Sequence, residues 1–268
     1  MKLVMFDIDG TLTQTDRADE TCFVQALREV FGFSDVNTDW ASYPHCSDSG
    51  ILEDLFQSRA GRSPLPAEVS AFQAHFLSLL AGATAVQPFS PIPGARDFLC
   101  SLIEDPAFAV SLASGAWEGS ARFKLASAGF VLQQIPAAFS DDAHAREAIM
   151  RASLARAALS HSRNAFDTVI YVGDGVWDAR ASRNLGFSFI GISHEPAKIE
   201  RLYTEGARHV FHDYLDADSF MTALHESNHV AKPCAAANGG IASRLQSARR
   251  VAAVAELGSL DPKRIVIC

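Results

Sequence analysis

The chain has 268 residues, 48% of them hydrophobic and 20% charged. That balance is globular and excludes a disordered or fibrous protein. A net charge of −8 argues against a nucleic-acid partner. No stretch is read as the roughly 18–20 apolar residues of a membrane span. Cys22, Cys46, Cys100, Cys234 and Cys268 show no C-x-x-C or zinc spacing. With an odd number of cysteines and no secretory core at the N-terminus, the expected location is the cytoplasm.

The first element is the apolar run Leu3 to Phe6, short enough for one buried strand, which stops at Asp7-Ile8-Asp9-Gly10-Thr11. Two carboxylates two residues apart lie on one side of an extended chain, and they repel unless a cation or hydrogen bonds compensate them. Gly10 allows a tight turn and Thr11 can hydrogen-bond locally. The spacing of Phe23, Ala26, Leu27 and Val30 predicts a helix over 16–31. After a polar stretch, Ser49 is expected to cap a helix carrying Ile51, Leu52, Leu55 and Phe56. Pro64 and Pro66 open another, with Phe72, Phe76 and Leu80 on its apolar stripe. Pro88, Pro91, Pro93 and Gly94 then form a breaker cluster, read as a linker.

Beyond the linker the pattern alternates. Strands are predicted over 108–114, 137–140, 168–173, 188–192 and 210–211, with helices over 95–103, 120–128, 143–159, 178–185 and 197–204. This predicts an α/β fold, a doubly wound, Rossmann-like parallel sheet, with an α-helical cap inserted after its first strand. The expected organisation is a core of residues 1–14 plus 89–228, a cap of 15–88 and a C-terminal extension of 229–268 with a helix over 243–257.

Ligands of an open α/β sheet bind beyond the carboxyl ends of its strands. Three predicted strands deliver polar groups there: Asp7 and Asp9, then Ser114, then Asp174 with Asp178. Carboxylates converging from separate strands need a cation, and oxygen ligands with room for water suit Mg2+. Arg146 and Lys124 are the candidates for positive charge facing an anionic substrate.

The motifs DIDGT at Asp7, LASG ending in Ser114-Gly115 and GDGVWD from Gly173 to Asp178 resemble, in order and spacing, those of the haloacid dehalogenase superfamily of phosphohydrolases. The insert matches the position and length of that superfamily's helical C1 cap. The resemblance is therefore to subfamily I, the phosphoglycolate phosphatase-like and β-phosphoglucomutase-like enzymes, and it spans roughly residues 1–225. It implies a Mg2+-dependent phosphatase acting on a small phosphorylated metabolite through an aspartyl-phosphate. Asp7 would be the nucleophile, and Asp9 the general acid and then the base. Ser114, Thr11 and Gly115 would hold the phosphoryl group. The third motif, usually Lys, falls by spacing on Arg146, with Lys124 as the other candidate. Arg departs from the pattern but also supplies a fixed charge. The metal would take the carboxylates of Asp7 and Asp174, the backbone carbonyl of Asp9, and Asp178 through water or in an outer position.

The cap loop around Tyr43-Pro44-His45-Cys46 is expected to choose the substrate, with His45, Ser47 or Asp48 facing the leaving group and Arg59 as an outside candidate. His194, His209 and His212 lack ligand spacing, and Trp117 and Trp177, beside the motifs, are read as core aromatics, with a place in the site wall as the alternative. From Leu3 to Phe123 there is no Lys, so the cap cannot supply one for Schiff-base chemistry. The partner is expected to be a small molecule and the protein a monomer or homodimer. A sugar phosphomutase of the same superfamily keeps all four motifs and remains the alternative. A dinucleotide-binding reading of Gly173-Asp174-Gly175 with Glu195 fails at Asp178, which stands where the third glycine belongs. A non-catalytic binding protein on the same fold is the remaining alternative, against which the intact Asp7, Asp9 and Asp174 argue.

Overall fold

The computed structural model describes residues 1–227. Strands β1 (Lys2–Phe6), β2 (Phe108–Ala113), β3 (Ala137–Ala138), β4 (Val169–Gly173), β5 (Ser188–Ile192) and β6 (His209–Phe211) form one parallel sheet in the order β3-β2-β1-β4-β5-β6. Every residue of β2 and β4 is buried, as strands covered on both faces require. Along β1 the side chains alternate between two cores. Val4 and Phe6 join Leu112 and Val172 on one face, and Leu3 and Met5 join Val169 and Tyr171 on the other. Helices α4 (Ala95–Glu104), α5 (Glu118–Ser127), α6 (Arg146–Ser160), α7 (Val176–Leu185), α8 (Pro196–Thr204) and α9 (Ala217–Glu226) alternate with the strands or follow them. The chain leaves β1 toward β2 on one side and finds β4 on the other, so the crevice of this doubly wound sheet opens at the carboxyl ends of β1 and β4.

Between β1 and β2 lie α1 (Asp16–Phe31), a single 3-10 turn (Trp40–Ser42), α2 (Asp48–Ala60) and α3 (Pro66–Val86). Phe23 sits edge-on to Phe72 at 5.2 Å and to Phe76 at 5.6 Å, and Trp117 stacks 6.1 Å from Phe23. One aromatic cluster therefore continues from the sheet face into the helical stretch. The two connecting segments run side by side, with Gln14 N–H donating to Ser90 O and Ile92 N–H to Leu12 O, both at 2.9 Å.

Several boundaries differ from expectation for local reasons. Ser47, not Ser49, caps α2. Its backbone is extended, and its Oγ accepts from Gly50 N–H at 3.2 Å, whereas Ser49 lies inside the helix and donates to Ser140 O at 2.9 Å. The expected strand over 137–140 is two residues long because Phe139 O accepts from Asp142 N–H and the chain turns. Helix α9 was not foreseen. Asp216 caps it, and Phe220 packs 4.6 Å from both Phe98 and Phe211. Helix α3, at 21 residues, is long and apolar enough to cross a membrane, contrary to the sequence reading. Here Phe72, Phe76 and Leu80 are buried and the helix packs on α1 and α5. The expected extension over 229–268 and its helix lie outside the described residues.

Candidate active site

Asp7 leaves the end of β1 with its N–H still bonded to Val172 O at 2.9 Å, so its position is set by the ladder between β1 and β4. Asp174 leaves β4, and Asp178 sits in the first turn of α7, where its Oδ2 accepts from Gly175 N–H at 3.1 Å. One oxygen from each of Asp7, Asp174 and Asp178 lies within 4.8 Å of the other two, and all three residues are buried. Gly10 lets the turn approach this group. Its φ is +67°, and a Cβ there would fall on the Asp174 carboxylate.

Two cations face the three carboxylates. Arg146, the first residue of α6 and only 8% exposed, places Nη1 3.6 Å from Asp7 Oδ1 and Nε 3.2 Å from Asp178 Oδ1. Neither nitrogen makes a hydrogen bond. Lys198, on α8, hydrogen-bonds Asp174 Oδ2. Burial pushes the carboxyls of Asp7 and Asp178 upward and that of Asp174 up to about 6, against the pull of Arg146 and Lys198. Three buried carboxylates against two cations leave a deficit of positive charge. With Asp7 Oδ1 and Asp178 Oδ1 lacking hydrogen-bond donors, the donor set fits Mg2+.

Asp9 turns elsewhere. Its Oδ1 accepts from Thr15 Oγ1 at 2.5 Å and its Oδ2 from Lys124 Nζ at 2.6 Å. Lys124 is fully buried and also bonds Asp19 Oδ1. It is therefore neither a solvated helix residue nor the partner of Asp7, and Arg146 fills that place. The carboxyl of Asp9 stays outside the three-carboxylate group. Burial and neighbouring carboxylates push Asp19 up to about 6 and Asp48 well above the usual range, while the surrounding acids hold Lys124 protonated.

The other expected residues divide. Ser114, at the exit of β2, is buried, and its Oγ accepts from Ala116 N–H at 3.2 Å. Thr11 is buried with its hydroxyl unpartnered. Gly115 O accepts from Asp48 N–H at 2.8 Å, and Asp48 Oδ2 from Trp117 N–H at 3.0 Å. Ser47 is occupied as a cap and as a donor to His144 O at 2.6 Å. His45 is exposed and does not line the cavity. Arg59 is held by Asp35 at 2.6 Å, away from it. His194 and His212 are exposed, and Trp117 is core, whereas Trp177 lines the cavity.

A cavity of about 420 Å3 joins these groups, with Asp7, Asp9, Ser114, Arg146 and Asp174 on the sheet side and Asp19, Glu20, Phe23, Trp40 and Asp48 on the helical side. Sequence reasoning missed Asp19, Glu20, Trp40 and Lys198. Asp19 was legible only as a first-turn acid, and Lys198 follows no motif. The glycines of the supposed dinucleotide loop serve the chain's own side chains. A Cβ at Gly173 would meet Asp178 Oδ2 at 2.6 Å, and one at Gly175 would enter the Trp177 ring.

Residues 1–186 match the haloacid dehalogenase-like hydrolase family. No curated protein matches the sequence. Among solved structures, a hydrolase from Pseudomonas syringae superposes with a TM-score of 0.65 at 17% identity, covering 84% of this chain and 99% of that one. CbbY from Rhodobacter sphaeroides in complex with phosphate gives 0.58 at 15% identity, covering 80% and 95%. A mutant of CbbY in complex with xylulose-(1,5)bisphosphate gives 0.60 at 14% identity, with the same coverage. At these identities the structures are alike in fold.

Proposed function

The chain belongs to the haloacid dehalogenase-like hydrolases, and from that premise we propose a Mg2+-dependent phosphatase that hydrolyses a small phosphorylated metabolite through an aspartyl-phosphate on Asp7. The observation that carries this reading is the grouping of Asp7, Asp174 and Asp178 within 4.8 Å beside the buried Arg146. Asp7, Asp174 and Asp178 would hold Mg2+. When bound, the metal offsets the charge that otherwise keeps a carboxylate and a phosphate dianion apart.

Asp7 lines the cavity at the end of β1, and its carboxylate supplies the lone pair that attacks phosphorus. The new Asp7–phosphorus bond forms as the bond to the ester oxygen breaks. The departing alkoxide takes a proton from Asp9, which lines the same cavity. Asp9 then accepts a proton from the water that attacks phosphorus, which releases phosphate and regenerates Asp7. Arg146, which lines the cavity beside Asp7, supplies guanidinium donors to the phosphoryl oxygens. Ser114 sits beside it at the sheet edge. The related mutase reading differs only in the acceptor of the phosphoryl group.

The test is a panel of phosphorylated metabolites with purified protein and Mg2+, with and without EDTA, read by product analysis. Inorganic phosphate released only with the metal is expected. An isomerised hexose phosphate without free phosphate overturns hydrolysis in favour of the mutase. Turnover that survives exhaustive chelation overturns the metal dependence.

A further inference from the structure

The two walls of the cavity differ in charge, and this asymmetry fixes which end of a substrate goes where. Arg146 marks the phosphate end, because it is a buried cation that lines the cavity beside Asp7. The opposite wall, built by α1 and α2, presents the carboxylates of Asp16 and Glu20, with Asp19 paired to Lys124 and the buried Asp48 carboxyl behind them, against a single base of its own, Arg17. Arg17 is 88% exposed and lies 3.6 Å from Glu195. Its potential is therefore spent at the rim.

Of the other described cations, Lys198 lines the same cavity but from α8, where it is bonded to Asp174, and the rest are committed elsewhere. Between Leu3 and Phe123 the sequence has no Lys. Arg59 and Arg62 are bonded to Asp35 and Glu68, and Arg28 lies by Glu29. Lys124 stands behind the wall, committed to Asp9 and Asp19. Two amide donors at the start of α2 are also used, Asp48 N–H on Gly115 O and Gly50 N–H on the Ser47 hydroxyl.

What the wall offers is acceptors on an aromatic surface. Trp40 Nε1 donates to Glu20 Oε2 at 2.7 Å and fixes that carboxylate at the cavity. Phe23 and Trp40 pack edge-on at 6.0 Å beside it. Carboxylates set on aromatic rings receive ammonium or hydroxyl groups and repel anions.

We infer that the leaving group is an alcohol that donates hydrogen bonds and carries no negative charge, an amino alcohol or a polyol. A carboxylate or a second phosphate at that end is rejected. This rests on the phosphatase reading above.

The test compares kcat/KM, in Mg2+ at low ionic strength, for 2-aminoethyl phosphate, glycerol 1-phosphate, phosphoglycolate and fructose 1,6-bisphosphate. p-Nitrophenyl phosphate serves as a reporter of hydrolysis as such. At least one of the first two is expected to exceed both anionic esters by about a hundredfold. Preference for aminoethyl phosphate identifies an amino alcohol, and preference for glycerol phosphate a polyol. Glu20→Gln and Asp16→Asn should each narrow the gap by about tenfold. Phosphoglycolate or the bisphosphate turned over as well as the uncharged-end esters overturns the inference, as does a gap that neither substitution changes. If no ester, p-nitrophenyl phosphate included, is hydrolysed, the phosphatase reading falls and this inference falls with it. Hydrolysis of p-nitrophenyl phosphate with an anionic preference sinks the inference alone.

Discussion

Replacing Lys124 by Met tests the buried charge network most directly. Lys124 is 0% exposed, 2.6 Å from Asp9 Oδ2 and bonded to Asp19 Oδ1. Methionine keeps an unbranched stem of similar volume, so lost packing should cost less than about 1.5 kcal/mol. Removing the ammonium leaves two half-buried carboxylates uncompensated, which costs about 3 kcal/mol at pH 8. The loss should shrink in acid. Asp19 already ionises near 6 rather than at its ordinary 3.8, and without the ammonium its pKa rises further. A carboxyl whose folded-state pKa is raised destabilises the fold in full above that pKa, and the penalty fades as pH falls from there toward the unfolded-state value. The difference between variant and wild type therefore falls by about 1.4 kcal/mol per pH unit between the variant's new pKa and about 6. Urea unfolding of both proteins at pH 8 and pH 5 measures this. A loss equal at both pH values within about 0.5 kcal/mol would refute the electrostatic account and leave only packing.

Three further outcomes are expected. Asp7→Asn should lower p-nitrophenyl phosphate hydrolysis by at least about a thousandfold. It should not lower the urea midpoint, since it removes one of three mutually repelling buried carboxylates; wild-type activity would contradict the nucleophile assignment. Mg2+ at a hundred times its dissociation constant should stabilise the wild type by about 2.7 kcal/mol. In Asp174→Asn, scanning calorimetry at the same Mg2+ concentration should show that shift lost, and a shift retained in full places the metal elsewhere. Gly10→Ala should cost about 1–3 kcal/mol and abolish activity, because φ is +67° and the new methyl would occupy the position of the Asp174 carboxylate. A variant as stable and active as the wild type contradicts that geometry.

The sheet was legible because its strands are short apolar runs that end in polar residues, and β5 was read to the residue. Asp7, Ser114, Asp174 and Asp178 were legible for the same reason, since each falls where an apolar strand stops or the next helix begins. Lys124 was not, because the sequence around it, Phe123-Lys124-Leu125, gives no sign that α1 and its Asp19 will close over the amine. Short motifs record what happens along a strand, whereas Lys124, Asp19 and Lys198 owe their places to helix packing between distant segments. Ser47 and Ser49 show the same limit at small scale. Either serine could cap α2 by composition, and the choice follows from contacts with Ser140 and His144, nearly a hundred residues away. Helix α9 escaped although Phe220, Ala223 and Leu224 fall at helical spacing, and its place is set by packing on Phe98 and Phe211.

The start of α2 is fastened to the sheet edge by the bonds from Asp48 N–H to Gly115 O, Ser47 Oγ to His144 O and Ser49 Oγ to Ser140 O. Gly115 is the neighbour of Ser114, and His144 lies two residues before Arg146. Moving the helices aside to admit a substrate thus releases the very backbone that presents Ser114 and Arg146. One displacement would loosen the backbone on both sides of the cavity mouth, while the paired strips at Leu12–Gln14 and Ser90–Ile92 would still join the helices to the sheet.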